Sequence, residues 1–157
     1  MITGTRTIVR KLPGQEKLLF LPTAVCAILY VLGFLYLFFN KSSVLFYLLS
    51  PALCFAVVSV LRNWIGRERP YDHFGIRPVG RYQPNKKKSM PSRHAASAVA
   101  ITLALLFWGP LKLAAPAVPI CILVCILRII TGQHYPSDVL CGMLLSLMIT
   151  ILFVLLF

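Results

Sequence analysis

A chain of 157 residues in which 59% are hydrophobic and only 13% charged is too apolar for the surface of an ordinary soluble domain. Lys and Arg number 16 against four Asp and Glu, a formal net charge of +12, so a charged partner is expected to be an anion. Nucleic acid is not expected to be that anion, because the sequence leaves almost no polar body to carry a binding surface.

A helix needs about 20 apolar residues to cross the hydrocarbon core of a bilayer. By that measure the sequence predicts an all-α, polytopic transmembrane helix bundle of about five spans, with residues 1–17 as an interfacial amino-terminal segment. The spans are Leu18 to Phe39, Val44 to Leu61, Ser92 to Trp108, Leu111 to Ile130 and Val139 to Phe157. The first run is longer than a usual secretory-signal core, and no small-residue cleavage site follows it. The third is short unless its helix begins at Pro91-Ser92-Arg93-His94, and the fourth holds Pro116 and Pro119, expected to kink it rather than end it. Cys26, Cys54, Cys121, Cys125 and Cys141 all lie in apolar runs, which points to packing or lipid-facing positions and not to disulfides or zinc. Residues 1–157 read as a single membrane-embedded domain.

Between the second and third spans lies a polar loop, residues 62–90, where water-side chemistry is expected. Counting crossings puts the amino terminus, this loop and the connection from Gly132 to Asp138 on one face, with 14 of the 16 positive charges. Lys41 and Lys112 fall on the other. The positive-inside rule makes the crowded face cytoplasmic. Lys86, Lys87 and Lys88 read as a solvated run near anionic lipids, His73 as a surface residue, and Trp64, Tyr71 and Tyr82 as interfacial anchors.

Three clusters on that face carry residues suited to phosphate chemistry. Arg62 and Arg69 are seven apart, so they share a face if the second helix continues past Leu61. Arginine donates paired hydrogen bonds to phosphate oxygens and stays charged at any working pH. Taken singly, each also fits headgroup anchoring at a helix end. In the second cluster Ser92 is placed to cap a helix whose first-turn N–H groups would receive an anion, with His94 beside it able to protonate a leaving oxygen. A capping serine with an interfacial histidine is the plainer alternative.

In the third cluster Pro136 suits the first turn of a helix, leaving His134 just ahead of it and Asp138 just inside. The carboxylate can accept one ring N–H of His134 and free the other nitrogen to attack phosphorus, or simply complement the helix dipole. Arg128, at the membrane end of the fourth span, carries a charge that needs a function or must snorkel to the headgroups.

Arg62 with Arg69-Pro70, then Pro91-Ser92-Arg93-His94, then Arg128 with His134 and Asp138 resemble the three signature motifs of the type 2 phosphatidic acid phosphatase superfamily, in order and spacing. The resemblance covers Arg62 to Asp138, about half of the chain. It implies a lipid phosphatase that needs no metal or other cofactor. The residue matching His134 attacks phosphorus, that matching Asp138 orients it, and that matching His94 protonates the departing oxygen. Residues matching Arg62, Arg69, Ser92 and Arg128 hold the phosphate. Arg93 replaces a usual glycine and adds a side chain that can reach a second phosphate or headgroup; Leu127 replaces a usual serine, and Arg62 a frequent lysine.

The implied partners are an amphiphilic lipid phosphate and the surrounding lipids, in a bacterial cell membrane. The resemblance favours an extracytoplasmic site, against the charge bias. A lipid phosphotransferase using the same site and a non-catalytic binder of anionic lipids are the competing functions.

Overall fold

The computed structural model describes residues 15–40, 44–76, 78–79, 82–83 and 86–156, so the predicted interfacial segment lies outside the described residues up to position 14. Six helices follow in order: α1 (Gln15–Phe39), α2 (Val44–Ile65), α3 (Pro70–His73), α4 (Arg93–Phe107), α5 (Leu111–Ile130) and α6 (Pro136–Leu156). Four of them, α1, α2, α5 and α6, are long and apolar enough to cross a membrane. Their outer faces expose large apolar side chains such as Phe20, Leu45, Ile122 and Met148, as a lipid-facing surface requires. The protein is an integral membrane protein with an all-helical bundle fold.

α4 is the exception in length. Its 15 residues reach about 22 Å, less than the hydrocarbon thickness of about 30 Å. It is nevertheless the centre of the bundle and packs against α1, α2, α5 and α6. Ala95, Ala96, Ala98, Ala100 and Ala104 are all buried along it. Small side chains let helix backbones approach closely, the means of association left when lipid removes the hydrophobic driving force between helices. Gly142 of α6 obeys the same logic: a Cβ there would stand 2.8 Å from the Ser92 carbonyl oxygen at the start of α4.

Several polar groups inside the bundle are paired between helices. Ser50 and Thr150 hydroxyls lie 3.2 Å apart, Cys54 Sγ is 3.1 Å from Ser146 Oγ, and Ser146 also donates to the Ala96 carbonyl at 2.8 Å. Between α1 and α2 the Tyr30 and Tyr47 rings stack at 4.7 Å, and each hydroxyl donates to the other's backbone carbonyl. All five cysteines are free thiols, four of them buried.

The helix boundaries depart from the predicted spans where chemistry begins. α1 starts at Gln15, three residues ahead of the predicted Leu18, so Lys17 is helical, whereas α5 keeps its predicted bounds and runs unbroken through Pro116 and Pro119. α6 begins at Pro136, the residue expected to open it, three residues ahead of the apolar run from Val139. α2 continues past Leu61 but stops at Ile65, because Gly66 takes a positive φ of 61° that a side chain disfavours. Arg62 and Arg69 therefore do not share one helix face: Arg62 closes α2, and Arg69 caps the short α3. Tyr71 is also not an interfacial anchor, since it is buried with its hydroxyl on the Gln83 carbonyl. Trp64, Tyr82, His73 and Lys86 to Lys88 are exposed as expected.

Candidate active site

Helix ends assemble one polar cluster at a single end of the bundle. Arg62 and Arg128 occupy the last turns of α2 and α5, and Arg93, His94 and Asp138 the first turns of α4 and α6. The α5–α6 connection delivers His134. Gly132 turns with φ 70°, and the backbone N–H of His134 donates to the Arg128 carbonyl at 3.1 Å, folding the histidine back over the end of α5.

His134 is buried, with Nδ1 3.6 Å from Asp138 Oδ2, just beyond hydrogen-bond length. Asp138 itself is fully buried and densely held. Arg67 Nη1 donates to Oδ1 at 2.8 Å, and the Tyr135 N–H at 3.0 Å and the Ser89 hydroxyl donate to Oδ2. Its own carbonyl accepts the Ser92 N–H at 2.9 Å, which ties α6 to the start of α4.

Burial pulls the His134 imidazole below the ordinary histidine range, the nearby charges of Arg69 and Arg62 push the same way, and Asp138 opposes them. His94 is exposed, and Arg128, His134, Arg62 and Arg93 all stand within electrostatic reach of it. Both imidazoles thus share one field.

The arginines reach the cluster from different directions. Arg62 Nη1 points to the Pro91 carbonyl at 3.4 Å. Arg69 Nη1 donates to Gln133 Oε1 at 3.0 Å, and Gln133 is fixed in turn on the Val79 carbonyl. Arg128 Nη2 donates to Thr23 Oγ1 of α1 at 3.2 Å. Arg93 stays exposed, its guanidinium carbon 5.9 Å from the centre of the Phe55 ring.

Ser92 departs from its expected role. It occupies the N-cap position of α4 and its backbone N–H donates to the Asp138 carbonyl, but its hydroxyl makes no cap bond and is buried without a partner. It is not alone in this. The described residues contain five buried side-chain polar atoms lacking a hydrogen bond, and four belong to the cluster: Arg69 Nε, Ser92 Oγ, Arg128 Nε and His134 Nδ1. Buried polar groups are nearly always paired, so such a concentration marks a place built to receive a polar ligand. The three Arg and Ser groups are donors suited to anionic oxygens.

Beside the cluster a cavity of about 380 Å³ runs between α1, α2 and α4, with Cys26, Ala27, Phe55 and Ile101 on its apolar walls and Arg93 and His94 in its lining. No group of three or more His, Cys, Asp or Glu gathers among the described residues.

Sequence reasoning missed Arg67, Ser89, Gln133 and Thr23. Arg67 sits between Arg62 and Arg69, and Gln133 directly precedes His134, so proximity to chosen residues was a usable signal for both. Thr23 carried none. Thr23→Val removes the acceptor for a buried guanidinium while keeping the side-chain shape. The variant is expected to weaken substrate binding by about fivefold in KM, corresponding to about 1 kcal/mol, whereas Thr23→Ser retains the wild-type value; steady-state kinetics in detergent reads the difference.

No curated protein matches the sequence. Among solved structures, that of a transmembrane PAP2-type phosphatidylglycerolphosphate phosphatase from Bacillus subtilis has a similar fold, with a TM-score of 0.68 at 24% identity over 94% of this chain and 78% of that one. The family model of the PAP2 superfamily matches residues 43–157, a segment that begins just ahead of α2 and contains all three residue clusters gathered at the end of the bundle, and the chain belongs to that superfamily.

Proposed function

We propose that the chain, acting as a single domain, is a metal-independent membrane lipid phosphatase that hydrolyses a phosphomonoester or diphosphate of a lipid through a phosphohistidine on His134. The observation that carries this reading is the set of unpaired buried donors, Arg69 Nε, Arg128 Nε and Ser92 Oγ, around a histidine backed by a buried carboxylate.

In the first step His134 Nε2 forms a bond to phosphorus as the P–O bond to the lipid breaks. The electron pair leaves with that oxygen, which takes a proton from His94. Positive charge developing on His134 is met by Asp138 at Nδ1, a contact that shortens from 3.6 Å as the charge grows. In the second step His94 takes a proton from water, the water oxygen attacks the phosphohistidine, and the N–P bond breaks to release phosphate. Arg62, Arg69 and Arg128 hold the phosphoryl oxygens, the main burden in phosphoryl transfer. The superfamily membership and the apolar cavity beside His94 support a lipid as the leaving group.

The test is phosphate release by purified protein in detergent from phosphatidic acid, phosphatidylglycerophosphate and a polyprenyl diphosphate, with excess chelator present. Activity is expected to survive chelation. Its dependence on pH is expected to be a bell. Attack requires neutral His134, and burial lowers its pKa, so the acid limb falls below the ordinary histidine value of about 6.5. The alkaline limb follows loss of the His94 proton, which the anionic phosphate of the bound substrate holds against the surrounding Arg128, Arg62 and Arg93 charges. A flat profile from about pH 5 to 9, or abolition by chelator, would count against the mechanism.

A further inference from the structure

Arg93 differs from the other arginines of the cluster in position and in what it touches. Arg62 and Arg128 are buried, and Arg69 is fixed on Gln133, but Arg93 is exposed with no hydrogen bond or ion pair among the described residues. Its guanidinium hangs over Phe55 on the wall of the cavity that His94 also lines. A guanidinium free of other partners on the rim of an apolar chamber is placed to meet an anion that enters it.

The direction of the reaction says what arrives. In phosphoryl transfer the attacking and leaving atoms lie roughly in line on opposite sides of phosphorus. With His134 attacking and His94 serving the departing oxygen, the leaving group lies on the His94 side, in the cavity. Arg93 therefore faces the departing half of the substrate and not the phosphoryl group being transferred. A diacylglycerol leaving group is neutral and offers a guanidinium ester and hydroxyl oxygens but no anion. A lipid monophosphate leaving group presents its phosphate at that place.

We propose that Arg93 is a specificity residue that selects lipid diphosphates, holding the inner phosphate while the outer one is transferred. This rests on the phosphatase reading and narrows its substrate class. His134 Nε2 bonds to the outer phosphorus, the bond from that phosphorus to the bridging oxygen breaks, and the electron pair stays on the bridging oxygen. That oxygen takes the His94 proton and becomes part of the lipid monophosphate, whose remaining negative charge is met by Arg93. His94 then takes a proton from water as the water oxygen attacks the phosphohistidine, and the N–P bond breaks to give inorganic phosphate.

The experiment compares kcat/KM for a polyprenyl diphosphate, phosphatidic acid and phosphatidylglycerophosphate in the same micelles, using wild type, Arg93→Gln and Arg93→Lys. The ratio of diphosphate to phosphatidic acid is expected to fall about tenfold in Arg93→Gln, the effect of losing one charge-assisted contact, and to recover in part in Arg93→Lys. Phosphatidylglycerophosphate carries its second phosphate across a glycerol from the leaving oxygen, so its ratio is expected to fall less. Turnover with a diphosphate ratio unchanged within about twofold overturns the role of Arg93 and leaves the phosphatase reading standing. An equal fall for the diphosphate and phosphatidylglycerophosphate overturns selection of an adjacent phosphate. No turnover of any of the three lipids by wild type overturns both readings.

Discussion

Replacement of His134 by asparagine is expected to abolish phosphate release, with kcat lower by about 10⁴-fold or more, because the proposed mechanism forms its bond to phosphorus at this imidazole. Asparagine keeps polarity and approximate size in this buried position, so folding is retained and the loss is chemical. Rapid mixing with a ³²P-labelled lipid and an alkaline quench, which spares P–N bonds, is expected to trap label on the wild-type protein and none on the variant. His94→Asn separates the two histidines. It slows departure of an alcohol by about 10²- to 10⁴-fold while leaving the nucleophile in place. Label on His134→Asn, or turnover near the wild-type rate, would refute a phosphohistidine at this position.

The second large effect is expected at Asp138→Asn. Every oxygen of this fully buried carboxylate faces donors: Arg67 on one side, the Ser89 hydroxyl and the Tyr135 N–H on the other, with His134 Nδ1 nearby. An amide brings its own donor into that ring, so whichever way it turns a donor meets a donor. The histidine also loses the anion that answers its developing charge. A fall of about 10³-fold in kcat is expected, together with about 2 kcal/mol of stability, measured as a lower denaturant midpoint in detergent. Because Arg67 keeps 36% of its side chain exposed, water takes up part of its lost partnership and limits the destabilisation. A variant with wild-type kcat would remove Asp138 from the mechanism.

Much of the membrane architecture could be read directly from the sequence, because an apolar run of sufficient length has few alternatives in lipid. Leu111 to Ile130 was predicted to the residue despite two prolines, since neighbouring helices tolerate what an isolated helix would not. The three clusters were also legible, because each pairs a helix terminus with residues suited to an anion. The errors arose where backbone geometry decides. Nothing in a spacing of seven shows that Gly66 will adopt a positive φ and break the helix between Arg62 and Arg69. Ser92 stands at the cap position, yet its hydroxyl makes no cap bond, and its N–H is held by Asp138, far along the chain.

Tertiary contacts explain the omissions in the same way. Arg67 and Ser89 read as ordinary members of a polar loop, yet they lie 71 and 49 residues from the carboxylate they hold. Thr23 is 105 residues from Arg128 and sits in a helix wholly ahead of the segment matched by the family.

The gathering of Arg62, Arg128, Ser92 and Asp138 at one extremity of the bundle makes such a phosphatase a single-leaflet device. Headgroups of the opposing monolayer stand about 30 Å away across hydrocarbon, beyond the reach of any side chain in the cluster. Substrate stored there can be consumed only after it has flipped. For a lipid made on the far side, transbilayer traffic then precedes the proposed histidine chemistry.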